Sequence, residues 1–289
     1  MNTFLSNMPR RSLFAMLPAL LTACSGADLL NATVSTDSYR RTEALAYGSG
    51  PRQRLDVYQP AGNIRNAPVV VFFYGGSWSS GERGDYRFVG EALASRGIVA
   101  MVADYRLSPD VRYPAFVQDS ASAVRWAADH AAEFGGDARR IFAMGHSAGA
   151  YNAAMVALDA RWLAAVGLAP ARLAGWIGLA GPYDFLPIGD ARTRVAFDWP
   201  GTPADSQPLS HASRASPPAL LLAPAVDSVV DPRRSTVAMA AQLRASGVRV
   251  ESELFAGVSH VTILASMAQV LRSRAPVLDR VAGFVQSAA

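Results

Sequence analysis

The stretch IFAMGHSAGAY, residues 141–151, passes from an apolar run to small residues around a single serine, and then to a helical pattern. Ser147 thus stands where a buried strand hands over to a helix. A sharp strand-to-helix turn crowds the backbone against the residue at its apex, so the positions two before and two after it need glycine. Gly145 and Gly149 meet that need. The helix that follows aims its first N–H groups and its positive dipole end at the serine, which favours negative charge there. This is the local chemistry of an exposed nucleophile, and it requires a base, an acid to orient that base, and donors for an oxyanion.

Working outward, apolar strand-like runs alternate with longer amphipathic segments: RLDVYQP, APVVVFFYGG, GIVAMVADY, RRIFAMG, AGWIGLAG, PPALLLAPA and VRVESELFAG. Such alternation predicts an α/β fold, a doubly wound and mostly parallel sheet with helices on both faces. Residues 69–73 and 98–102 are apolar without alternation, as strands covered on both faces should be. Helices are predicted near 86–96, 114–134, 148–159, 232–246 and 262–286. The segment 186–216, rich in Pro, Ser, Asp and Gly, reads as a short cap excursion over the sheet.

Composition narrows the chemistry. With 289 residues, 51% of them hydrophobic and 17% charged, the chain suits one compact domain with a substantial core. The net charge is +4, but the arginines are scattered, which argues against a nucleic-acid surface. Every basic side chain other than histidine is arginine, so a Ser-Lys dyad, a Schiff-base lysine and a phosphate-loop lysine are all excluded. The single cysteine, Cys24, cannot form an internal disulfide or a cysteine-rich zinc site. It follows Arg10, Arg11 and the apolar run 13–21, the layout of a secretory leader. LTAC resembles the bacterial lipoprotein processing motif, with Cys24 as the lipidated residue. The expected organisation is a signal peptide over 1–23, a tether over 24–41 and a catalytic domain over 42–289. The expected location is the bacterial cell envelope, with a periplasmic or secreted form as the alternative, and the only membrane association expected is through Cys24.

Four histidines compete for the role of base. His146 sits on the turn itself, where neighbouring side chains diverge, and reads as packing; His130 lies on a helix surface. His211 falls in the Pro/Ser-rich excursion, with no strand end to hold it. His260, in ELFAGVSHVTIL, follows the last strand and precedes the final helix, and is assigned as general base. The acid should lie between Ser147 and His260 in the chain. Asp231 precedes Pro232 at a helix start and reads as a cap. Asp227, at loop distance from its strand, is assigned, with Asp184 as the alternative. Oxyanion donors are expected from the N–H of Ala148 and from Gly76 and Ser77 in YGGSW, with Gly75 shaping that turn.

Taken in order, YGGSW, DYRLSP, GHSAGA, GPYDF, AVDSVVDP and GVSH resemble the α/β-hydrolase superfamily over about residues 42–286. Within it they are similar to the bacterial carboxylesterase branch related to hormone-sensitive lipase and kynurenine formamidase. Two positions depart from that pattern. Tyr74 stands where the family has histidine at the head of the oxyanion turn, and Ala223-Pro224 stands where His-Gly usually precedes the acid. Arg106 is expected to pair with Asp119 or Asp104, and Trp78, Tyr183 and Phe185 to line an acyl or aryl pocket. The resemblance implies a serine carboxylesterase without metal or organic cofactor, acting on small-molecule esters. The short cap points to short acyl, acetyl or small aryl esters. An arylformamidase-like amide hydrolase and an inactive lipid-anchored binding protein are the alternatives.

Overall fold

The structure, a computed structural model, describes residues 26–287. Its centre is an eight-stranded sheet in the order β1-β2-β4-β3-β5-β6-β7-β8. The strands are β1 (Tyr39–Ala46), β2 (Arg54–Pro60), β3 (Ala67–Phe73), β4 (Val99–Ala103), β5 (Gly136–His146), β6 (Leu173–Leu179), β7 (Ala219–Pro224) and β8 (Val250–Phe255). β1 and β2 pair antiparallel, as do β2 and β4, and every pairing from β4 through β8 is parallel. Every residue of β3, β4 and β7 is buried, which accounts for their unbroken apolar runs.

The helices are α1 (Gly26–Ala32), α2 (Arg87–Ala94), α3 (Ala115–His130), α4 (Ala148–Leu158), α5 (Ala160–Ala165), α6 (Ala191–Ala196), α7 (Ala238–Ala245), α8 (Thr262–Ala265) and α9 (Val277–Ser287). α2, α3, α4, α7 and α9 lie where amphipathic spacing put helices. The stretch expected as one helix over 262–286 is instead divided into α8, a 3-10 turn and α9. Pro276 has no N–H for a continuing helix, and its ring displaces the preceding residue from helical geometry.

Much of the stretch expected as a tether is folded onto the body. Asn31 of α1 is buried, donates to the carbonyl of Gly84 and accepts from the Phe88 N–H. β1 begins at Tyr39, where the ring packs 5.3 Å from Tyr58. A polar, aperiodic stretch reads as solvated, yet hydrogen bonds from Asn31, Ser38 and Arg41, with the aromatic contact of Tyr39, hold it to the body. Cys24 and the stretch expected as a leader lie outside the described residues. Among the described residues, no helix is long and apolar enough to cross a membrane.

Candidate active site

The parallel register brings the ends of the central strands together. Phe73 of β3 stands opposite both Ala103 and Gly145, and Leu179 of β6 opposite both His146 and Leu222. The turns after β3, β5, β7 and β8 therefore share the carboxyl rim of the sheet, where ligands bind in open α/β sheets.

Ser147 holds φ 54° and ψ −122°, a conformation that costs a non-glycine residue about 1–3 kcal/mol. Its N–H donates to the Leu179 carbonyl at 2.9 Å, and its own carbonyl accepts from Ala150 and Tyr151. The flanking glycines are required sterically. A Cβ on Gly145 would lie 2.1 Å from the Gly149 carbonyl oxygen, and one on Gly149 would lie 2.0 Å from that of Phe73.

Three side chains far apart in the chain meet above this turn. His260 Nε2 is 2.8 Å from Ser147 Oγ, and its Nδ1 is 2.7 Å from Asp227 Oδ2. The carboxylate accepts from Nδ1–H, which leaves the Nε2 lone pair for the serine hydroxyl to donate to. Asp227 also accepts from the N–H groups of Val229 and Val230 through Oδ1, so both oxygens are held and the carboxylate is almost fully buried. Asp227 thus closes its own turn as well as meeting the imidazole. Asp231 accepts from the Arg233 N–H at a helix start, and Asp184 is bound by Arg234.

His146 packs, but it also donates from Nε2 to the carbonyl of His260 at 2.7 Å. Burial foremost, and then the nearby His260, push its pKa down to about 3, so it remains neutral. His130 stacks on Trp126, and His211 binds the Asp205 carbonyl.

In the turn after β3, Gly76, Ser77 and Trp78 have φ of 122°, 51° and 55°. A Cβ on Gly76 would lie 2.2 Å from the Ser80 carbonyl oxygen. Gly75 abuts Ser147, since a Cβ there would stand 3.0 Å from the serine Cβ. Ala148 is the first residue of α4, so its N–H has no intrahelical acceptor. Ser77 and Ala148 line one cavity of about 520 Å³ with Ser147, and Gly76 is not among its lining residues. Trp78 and Phe185 also line it, and the cap adds Ile188 and Thr193. Tyr183 does not reach it; the ring is fully buried against Trp176, 5.7 Å away.

Beneath the turn lies a polar network of which the sequence indicated only the pairing of Arg106 with Asp119. Tyr74 donates its hydroxyl to Asp104 at 2.8 Å and accepts from Arg52 at 2.7 Å, and its carbonyl accepts from the Tyr105 hydroxyl. Burial drives the Tyr74 pKa well above its usual value, so the phenol keeps the proton it donates. Asp104 also accepts from the Arg83 backbone and guanidinium, while Arg106 makes a two-pronged pair with Asp119. The available signal was DYR itself: a carboxylate at the end of a fully buried strand requires cations.

Comparison with known proteins agrees with this fold. The BD-FAE family model matches residues 55–243. A probable isoprenylcysteine alpha-carbonyl methylesterase of Arabidopsis thaliana, ICMEL1, is 34% identical over 152 residues, covering 51% of this chain and 32% of the relative. The carboxylesterase NlhH of Mycobacterium tuberculosis is 45% identical over 107 residues, covering 36% of this chain and 33% of its own. The chain thus spans about a third of the length of these relatives. Among solved structures, apo Thermogutta terrifontis esterase 2 is 25% identical with a TM-score of 0.72, covering 88% of this chain and 96% of that one. Esterase B from Lactobacillus rhamnosis matches with a TM-score of 0.74 at 20% identity, a likeness of fold, over 90% of this chain and 92% of that one. With most of its α/β-hydrolase sheet inside the matched region, the chain belongs to the BD-FAE family.

Proposed function

We propose that the protein is a serine carboxylesterase acting on short-chain acyl, acetyl or small aryl esters through an acyl-enzyme. Ser147 Oγ gives its proton to His260 Nε2 as it bonds to the ester carbonyl carbon, and the carbonyl electron pair moves onto oxygen. Asp227 fixes the imidazole tautomer and stabilises the imidazolium. The N–H groups of Ala148, Gly76 and Ser77 are the donors for the oxyanion. As the tetrahedral species collapses, the carbon–oxygen bond to the alcohol breaks and the leaving oxygen takes the proton from His260. Water, deprotonated by the same imidazole, then releases the acid and regenerates Ser147.

The observation that carries this reading is the unbroken series Ser147 Oγ, His260, Asp227, joined at 2.8 and 2.7 Å beside an open cavity. The related Thermogutta terrifontis esterase 2 has been solved with propionate bound, which supports a short acyl group here. A fluorophosphonate probe should label the wild type and not Ser147→Ala. Across p-nitrophenyl esters of graded length, turnover should peak at short chains; octanoate or longer turned over best would refute that preference. The envelope location is part of the same proposal, with Cys24 as the lipidated residue. Palmitate incorporation into the wild type but not into Cys24→Ala tests it.

A further inference from the structure

Among the residues lining the Ser147 cavity there is one cation, Arg192 of α6. Its guanidinium makes no hydrogen bond or ion pair among the described residues. Other arginines on and around the cap are engaged. Arg194 donates to the Ile188 carbonyl, Arg112 binds Asp198, Arg161 joins Asp159 to Asp205, and Arg234 binds Asp184. The carboxylate of Asp190, in the same wall, feels the charge of Arg192. Its Oδ1, however, is taken by the backbone N–H and the hydroxyl of Thr193, both at 2.8 Å, as the cap of α6.

The direction of the cavity indicates which part of an ester would meet this cation. Its lining includes Ser147, Ser77 and Ala148 but not His260. A leaving oxygen must face His260 Nε2 to receive its proton, so the alcohol side of the substrate points to the imidazole and the acyl side enters the cavity. A sphere of about 520 Å³ is about 10 Å across, room for a short acyl chain with a polar group at its end. Trp78, Phe185 and Ile188 supply apolar contact for the methylenes.

We propose that the acyl group preferred by this site carries a carboxylate at its far end, held by Arg192, so that the substrates are half-esters of short dicarboxylic acids. This deepens the esterase reading of the same site and rests on it. A guanidinium fork matches a carboxylate in two-pronged geometry, and at this exposed end of the cavity that match governs specificity more than rate on neutral esters.

The test compares 4-nitrophenyl hydrogen glutarate with 4-nitrophenyl pentanoate, whose chains are of equal length. In Arg192→Gln the ratio of kcat/KM for glutarate over pentanoate should fall roughly 3–10-fold, and Arg192→Lys should recover part of it. Added salt should lower the same ratio in the wild type. A ratio unchanged in Arg192→Gln overturns the proposal. Turnover of pentanoate by the wild type and its loss in Ser147→Ala report separately on the esterase reading. Calorimetric binding of the glutarate half-ester to Ser147→Ala, with and without Arg192→Gln, decides the matter without catalysis; equal affinities would end it.

Discussion

At the scale of single residues, the chemistry depends on how protons are held. Asp227 accepts one hydrogen bond from His260 and two from its own turn, so Asp227→Asn should preserve the loop while reversing the tautomer preference of the imidazole. By analogy with the serine-protease triad, kcat should fall by about 10⁴-fold with little change in KM, measured on a p-nitrophenyl ester. His146 gives a prediction of opposite kind, on stability. Its folded pKa of about 3 lies below the ordinary histidine value, so between the two the unfolded chain binds a proton that the folded chain does not. Stability therefore rises with pH through that window and is lost as pH falls through it. Denaturant titrations from pH 7 down to pH 4 should show a shallower acid loss in His146→Gln than in the wild type. Parallel curves would mean that the neutral imidazole contributes nothing to the acid limb.

At the scale of elements, the decisive contact is that of α4 and β5 with the end of β3. The carbonyl of Phe73 approaches Gly149 so closely that no side chain can enter. Gly149→Ala must push the start of α4 away from β3, carrying Ser147 and the Ala148 N–H with it. A displacement of about 1 Å is expected to lower kcat by about 10²-fold. Near-UV circular dichroism would show the core intact while the ester assay reports the loss; full activity would mean that the start of α4 can yield without moving Ser147.

At the scale of the whole molecule, buried charge ties the sheet edge to the oxyanion turn. Asp56 of β2 is fully buried and accepts from Arg41 of β1, from Arg83 ahead of α2, and from the Ala44 N–H. Arg83 passes on to Asp104, which holds Tyr74. Asp56→Ala leaves two guanidinium groups without their shared partner. Because both are partly exposed, the cost is set at about 2–4 kcal/mol, below that of breaking a fully buried pair. Thermal unfolding checks it, and a Tm within a degree of the wild type would contradict the network's role.

What the sequence by itself determined follows from periodicity and local sterics. The seven strands it indicated correspond to β2–β8, most plainly β3, β4 and β7, since strands covered on both faces must be apolar throughout. The glycines around Ser147 marked a turn too tight for side chains, and chain order narrowed the base to His260 and the acid to Asp227 or Asp184. β1, the docking of α1 and the break between α8 and α9 were not legible in this way. The docking of α1 rests on contacts between distant residues, Asn31 with Gly84 and Phe88, and β1 on its pairing with β2, neither of which leaves a periodic trace, while the break between α8 and α9 follows from Pro276, a local signal that periodicity overrides. Tertiary structure alone decided which carboxylate meets the imidazole, what stands behind Tyr74, and that Arg192 faces the cavity unpaired. The reason is physical: a strand's burial is repeated at every residue and shows in composition, whereas a hydrogen bond needs two particular atoms within 3 Å or so, a coincidence only the folded chain creates.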